Sequence, residues 1–173
     1  MPRRTHPAPV GTIDANKDKL DSMRPSKLDV LHPLLQSFYE VWDSMRHDRP
    51  MPRIKDLPPR TLKPWYANIL LVAVLGPQQF RYDYYGRAFI DAFGADLTGR
   101  TIDRIEADKA DIIRLDYDAC VRSAKPISRI HTGEFNGGSE TWHRLILPLA
   151  GNEDDENEIV RQILVGAYPV RRE

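Results

Sequence analysis

Leu28, Leu31, Leu35, Phe38, Trp42 and Met45 recur every three or four residues, with Gln36, Glu40, Asp43 and Arg46 between them. That spacing stacks apolar side chains on one helix face. Ser26 and Asp29 are a candidate capping pair, and Pro33 suits a first helical turn, where its missing N–H is no loss. The main helix is expected over about 33 to 47. The prolines of Arg49-Pro-Met-Pro-Arg and Leu57-Pro-Pro-Arg-Thr-Leu-Lys-Pro-Trp then allow only a connector, with one helical turn after Pro59.

Ile69-Leu-Leu-Val-Ala-Val is a short run rich in branched side chains, and Phe80-Arg-Tyr-Asp-Tyr-Tyr alternates with period two. Both predict strands, joined by a turn at Gly76-Pro77. Ala88, Phe89, Ala92 and Phe93 have helical spacing before Gly94, a suitable left-handed terminator. Ile112, Ile113, Tyr117, Cys120, Val121 and Ala124 form a longer amphipathic stripe that ends at Pro126. Three further strands are expected near 127–135, 141–149 and 159–168, the first two joined by the hairpin signal Asn136-Gly-Gly-Ser and the last two separated by an acidic loop at 151–158. The order of helix, two strands, short helices and three strands predicts an α+β fold: a five-stranded antiparallel sheet with short helices on one face and a flanking N-terminal helix.

Composition narrows the function classes. With 25 basic and 25 acidic residues in 173, no global field draws the chain to nucleic acid or an anionic membrane. Cys120 is the only cysteine, which excludes an intrachain disulfide and a multi-cysteine metal site and fits a reducing compartment. No run approaches the ~20 apolar residues of a membrane span, and Arg3-Arg4 is not followed by the apolar stretch of an export signal. A cytoplasmic location is therefore expected. The organisation expected is a flexible arm over residues 1–26, a helix and proline-rich connector over 27–64, and a sheet domain over 65–173.

Several local patterns resemble one family. They are Tyr39 and Trp42 in the leading helix, Arg46, Arg49, Met51-Pro52, Leu57-Pro58, Phe80-Arg-Tyr with Gly86, the stretch Phe93-Gly-Ala-Asp-Leu-Thr-Gly-Arg100, and Leu147-Pro148-Leu149. In order and spacing they are similar to the bacterial family of stand-alone PAS-domain proteins, in which one PAS domain follows an N-terminal helix. The likeness runs over most of residues 38 to 168. Asp83 stands where the family usually has an arginine, Arg87 where a small polar residue is common, and the acidic loop is long.

The resemblance implies a sensory module with a cup between the sheet and its short helices, which in relatives holds haem, flavin, a small metabolite or nothing; the sequence leaves the cofactor open. Phe80, Tyr82 and Tyr84 share one strand face by alternation, and Phe89 and Phe93 lie on the helix that would close over it. Tyr82, Tyr84, Phe89, Phe93, Cys120 and Leu147 are the candidate ligand-lining residues, although such aromatics equally suit a filled core. Cys120 sits in an apolar stripe and reads as a small buried hydrophobe, unlike a flavin-reactive thiol. His131 and His143 fall on predicted strands and are the candidate haem ligands, and no third residue completes a metal site. The acidic stretch from Glu153 lacks the glycine turn of a calcium loop.

The function expected is non-enzymatic: a regulatory module that binds a small ligand or a protein partner and signals through protein contacts. Phe38, Trp42 and Met45 are the candidate interface, packing on the chain's own sheet or on a second copy as a homodimer. The alternatives are a small α+β pocket enzyme using Asp83 or His131, and a ligand-free dimeric adaptor.

Overall fold

The computed structural model describes residues 31–105, 107–135, 137–151 and 158–171. The expected arm at 1–26, the Ser26–Asp29 capping pair and most of the acidic loop lie outside the described residues. Helix α1 spans Pro33–Arg46, with Pro33 in its first turn. Its N-cap is His32, whose Nδ1 accepts the Leu34 N–H at 3.2 Å and so takes up one of the unpaired amides of a helix start. The connector holds a 3-10 turn at Ile54–Asp56, the one-turn helix α2 (Pro59–Leu62) and a second 3-10 turn at Lys63–Asn68. Strands β1 (Ile69–Gly76) and β2 (Gln79–Tyr85) follow. Helices α3 (Arg87–Phe93) and α4 (Ala107–Ser123) precede β3 (Ile127–Phe135), β4 (Gly138–Ala150) and β5 (Val160–Pro169).

The five strands form one sheet in the order β2-β1-β5-β4-β3, with every pairing antiparallel. Strand β5 lies at its centre, and Ile163 to Tyr168 are buried without a break. Such a run, where alternation would leave every second residue wet, means both faces are covered. One cover is α1. A Cβ on Gly166 would stand 2.8 Å from Phe38 Cε1 and 3.0 Å from Leu35 Cδ2, so the helix lies against bare backbone there. Trp42 anchors the other end by donating its indole N–H to the Pro148 carbonyl at 2.9 Å. The opposite face, to which Ala167 points, is closed by α3 and α4.

The family-like patterns acquire structural reasons. Pro148 lies in β4 beyond the last β3 pair, Ile127 with Ile146, so on that side its missing N–H breaks no ladder bond. Met51 is fully buried, the Ala150 N–H donates to the Pro52 carbonyl at 2.9 Å, and Arg49 pairs with Asp56 at 2.6 Å. These contacts fasten the connector to the end of β4. The segment after α3 shields a sheet edge: Gly99, at φ +78°, donates to the Tyr82 carbonyl, and the Tyr82 N–H donates to Arg100 at 2.9 Å. Together they occupy backbone groups of β2 that a foreign strand would otherwise pair with.

Gly166→Ala should lower stability by about 1–3 kcal/mol, because the added methyl overpacks a filled contact. Urea unfolding measures this; unchanged stability would mean that α1 does not rest on β5.

Candidate functional site

Burial along β2 does not follow simple alternation. Leu71 pairs with Tyr84 and Val72 with Tyr82, which leaves Asp83 as an extra residue in a bulge. A bulge reverses the faces of all residues beyond it. Phe80, Tyr82 and Tyr85 therefore point inward, whereas Tyr84 is 38% exposed and donates its hydroxyl to the Tyr66 carbonyl at 2.8 Å. The expectation that Tyr84 lines the interior fails for this reason, and Tyr85 holds that place. Asp83, considered above as an acid or base, is exposed and paired with Arg81 at 2.8 Å.

Between the sheet and helices α3 and α4 lies a cavity of about 50 Å³. Phe89 and Phe93 of α3, Ile112 and Ile113 of α4, and Phe135, Trp142 and Ala167 of the sheet supply its apolar lining. Phe93 meets Phe135 edge-on at 5.2 Å, and Phe89 lies 6.2 Å from Trp142. The polar lining is Lys109, His131 and Arg144. A water needs roughly 10–15 Å³ of such space, so the volume suits a few heavy atoms and falls far below the ~300 Å³ of an ordinary cofactor pocket.

Tyr82 and Cys120 are buried in the surrounding core but are not part of the lining. Leu147 is on the other side of the sheet. Leu145 pairs with Gly166, which faces α1, and two residues along a strand share a face. Phe38 and Trp42 are buried on the chain's own sheet and Met45 packs beside them, so this helix face is not free for a second copy. His143 also lies away from the cavity, in a buried 2.7 Å hydrogen bond with Ser128.

A charged cluster borders the cavity. Asp116 on α4 accepts from Arg129 Nε at 3.1 Å and from Arg144 Nη2 at 2.9 Å. The two arginines are cross-strand partners on β3 and β4. Their side chains are 7% and 12% exposed, and that of Asp116 is 2% exposed. Buried charge is stable only when paired, and Asp116 accepts from both guanidiniums. Arg144 Nε is buried without a hydrogen-bond partner. Burial pushes the Tyr82 phenol up to about 12 and raises that of Tyr117, which donates to Tyr82, well above its ordinary value.

Sequence reasoning missed this triad and the wall made by Phe135 and Trp142. A signal was present: arginines interrupt runs that become buried strands, and Asp116 interrupts the apolar stripe of α4. Among the described residues, no group of three or more His, Cys, Asp and Glu side chains could hold a metal ion.

A family profile described as PAS domain matches residues 30–164. The chain belongs to the PAS domain family. The PAS domain of BvgS from Bordetella pertussis is similar in structure, at 15% identity and a TM-score of 0.41, over 60% of this chain and 75% of that one. No curated protein matches the chain significantly. Among the described residues, no helix is long and apolar enough to cross a membrane.

The bulge predicts unequal tyrosines: Tyr85→Ala should cost roughly 3–5 kcal/mol, as other large-to-small core changes do, and Tyr84→Ala only about 1 kcal/mol. Comparable losses in urea unfolding would contradict the register.

Burial, joined by the Arg144 charge, lowers the pKa of His131 from 6.5, and burial with nearby His32 lowers that of His143. The unfolded chain then takes up these protons first, so their contribution is present above about pH 6.5 and is lost as pH falls through the lower folded values. The urea midpoint should drop between about pH 7 and pH 5, less steeply for the double variant His131→Gln, His143→Asn. An equal slope in that variant would assign the effect elsewhere.

Proposed function

We propose that this PAS protein is a regulatory module that holds a small molecule in the cavity beneath α3 and α4 and passes its occupancy to a protein partner or a second copy. The observation that carries the reading is an aromatic cavity bordered by a buried arginine Nε without a hydrogen-bond partner. A filled core would leave no such space, and a dry apolar cavity would not have a buried donor beside it. Binding sites commonly combine an apolar lining with a few placed polar groups.

The cavity wall also couples binding to shape. Phe93 belongs to α3, Ile113 to α4, and Phe135 and Trp142 to the β3–β4 hairpin. A ligand that parts these side chains favours one arrangement of the three elements over another, and that difference is all a ligand needs to shift a population. The face of α1 bearing Phe38 and Trp42 is occupied by the sheet, so a partner would read the chain on another surface.

Native mass spectrometry with an absorbance spectrum, on protein purified without denaturation, tests this. A complex carrying a bound small molecule is expected. An apo dimer would replace the reading with a ligand-free adaptor, and robust substrate turnover would replace it with an enzyme acting through His131.

A further inference from the structure

We infer that His32 is a proton-operated latch, which holds the first turns of α1 on the sheet in neutral solution and loosens them in acid. The latch works on the α1 side of the sheet, so it stands or falls apart from the ligand-holding reading above.

Geometry is the first argument. Gly166 faces α1, and Tyr168, two residues along β5, shares that face. The His32 ring lies flat on Tyr168, with centres 5.0 Å apart and planes 6° from parallel. From there its Nδ1 accepts the Leu34 N–H at 3.2 Å, and the Leu34 carbonyl in turn accepts the Trp65 indole N–H at 2.9 Å. The start of α1 is thus tied to β5 through the His32 ring and to the connector through Trp65. The first of these ties needs an Nδ1 without a proton.

Protonation is the second. An Nδ1 that gains a proton becomes a donor facing the Leu34 N–H, and its charge stands at the helix end where the dipole is already positive. The stack does not let the ring turn away, since an imidazolium is also drawn to an aromatic face, so the two donors stay opposed. The cap is therefore present above the pH range in which imidazoles charge and is lost as pH falls through it.

The groups around His32 do not offset that charge. On β5 the titratable neighbour is Tyr168, whose phenol burial raises and which is neutral in acid. On β4 it is His143, the cross-strand partner of Tyr168, whose pKa burial and His32 both lower. On β3 the partners of His143 are Ser128 and Ile130, and Glu134 lies about 13 Å further along the strand. On α1 the nearest carboxylate is that of Glu40, about 12 Å along the helix, and Lys63 of the connector is exposed. Loosening these turns uncovers Leu35, which is fully buried against Gly166, while Trp42 still holds the other end through Pro148. The movement is a hinge of α1, and the strip it uncovers is apolar surface offered to a partner in acid alone.

The test is solvent exchange of the Trp65 and Trp42 indole N–H groups in the full chain, followed by NMR at about pH 7 and about pH 5. The two indoles share one intrinsic exchange chemistry, so their ratio cancels the direct effect of pH. Trp65 should lose at least about tenfold in protection relative to Trp42, the size of a lost cap joined by an unfavourable charge at a helix start. In His32→Asn the cap acceptor is kept without a proton to gain, and the ratio should change by less than about twofold. An equal loss at both indoles would overturn the latch, since it reports unfolding of the whole domain. No loss at Trp65, or a selective loss that persists in His32→Asn, would overturn it as well. The comparison of the two indoles on the unmodified chain decides even where the variant fails to fold. Neither indole lines the cavity, so the outcome is separate from what the cavity holds.

Discussion

Strand β5 has α1 on one face and α3 and α4 on the other, and six consecutive residues from Ile163 to Tyr168 are buried between them. A central strand covered twice needs side chains short enough for both covers to approach. Gly166 on one side and Ala167 on the other supply that. The missing side chain at Gly166 brings Phe38 and Leu35 onto the backbone and draws α1 flat against β4 and β5. The small methyl of Ala167 does the reverse, because the covering helices do not descend to fill the space above it. The cavity lies over that position, so the tight side of the sheet and the hollow side share one dipeptide.

Most of the architecture was legible because it depends on local periodicity. The three-to-four spacing placed α1 and α4, the stop at Gly94 placed the end of α3, and the branched or alternating runs placed all five strands. The face assignments failed where tertiary pairing intervenes. Phe80-Arg-Tyr-Asp-Tyr-Tyr contains nothing that marks Asp83 as the extra residue; that follows from how β1 lies against β2. Leu147 misled for a different reason. It is in a continuous apolar run, Leu145 to Ala150, buried from both sides, and such a run does not reveal which residues face which layer.

The candidate site was legible in part. Phe89 and Phe93 are short-range features of α3, and both line the cavity. Asp116, Arg129 and Arg144 are separated by 13 and 28 positions from the carboxylate outward, and although each interrupts an apolar pattern, none marks its partners. Only strand pairing and the docking of α4 make them one cluster. Arg46, Arg49 and the Met51-Pro52 and Leu57-Pro58 pairs, which carried the likeness to PAS proteins, lie far from that cluster in function. They bind the connector to itself and to β4, so they hold a scaffold together and say little about what the cavity holds.

That division bears on how such a domain changes its ligand without changing its fold. The α1 side is packed to contact at Gly166 and sealed by the Trp42 bond to Pro148, and it tolerates little alteration. The α3–α4 side already contains unfilled volume and a buried charge cluster in which Arg144 Nε has no hydrogen-bond partner. A buried donor without an acceptor carries a desolvation cost that an arrangement supplying an acceptor would remove. The α1 face of the sheet is therefore the tightly packed one, and the α3–α4 face is the one with room for rearrangement. Asp116 ties α4 to both arginines of the β3–β4 hairpin, so a displacement of either arginine is transmitted to the helix that roofs the cavity.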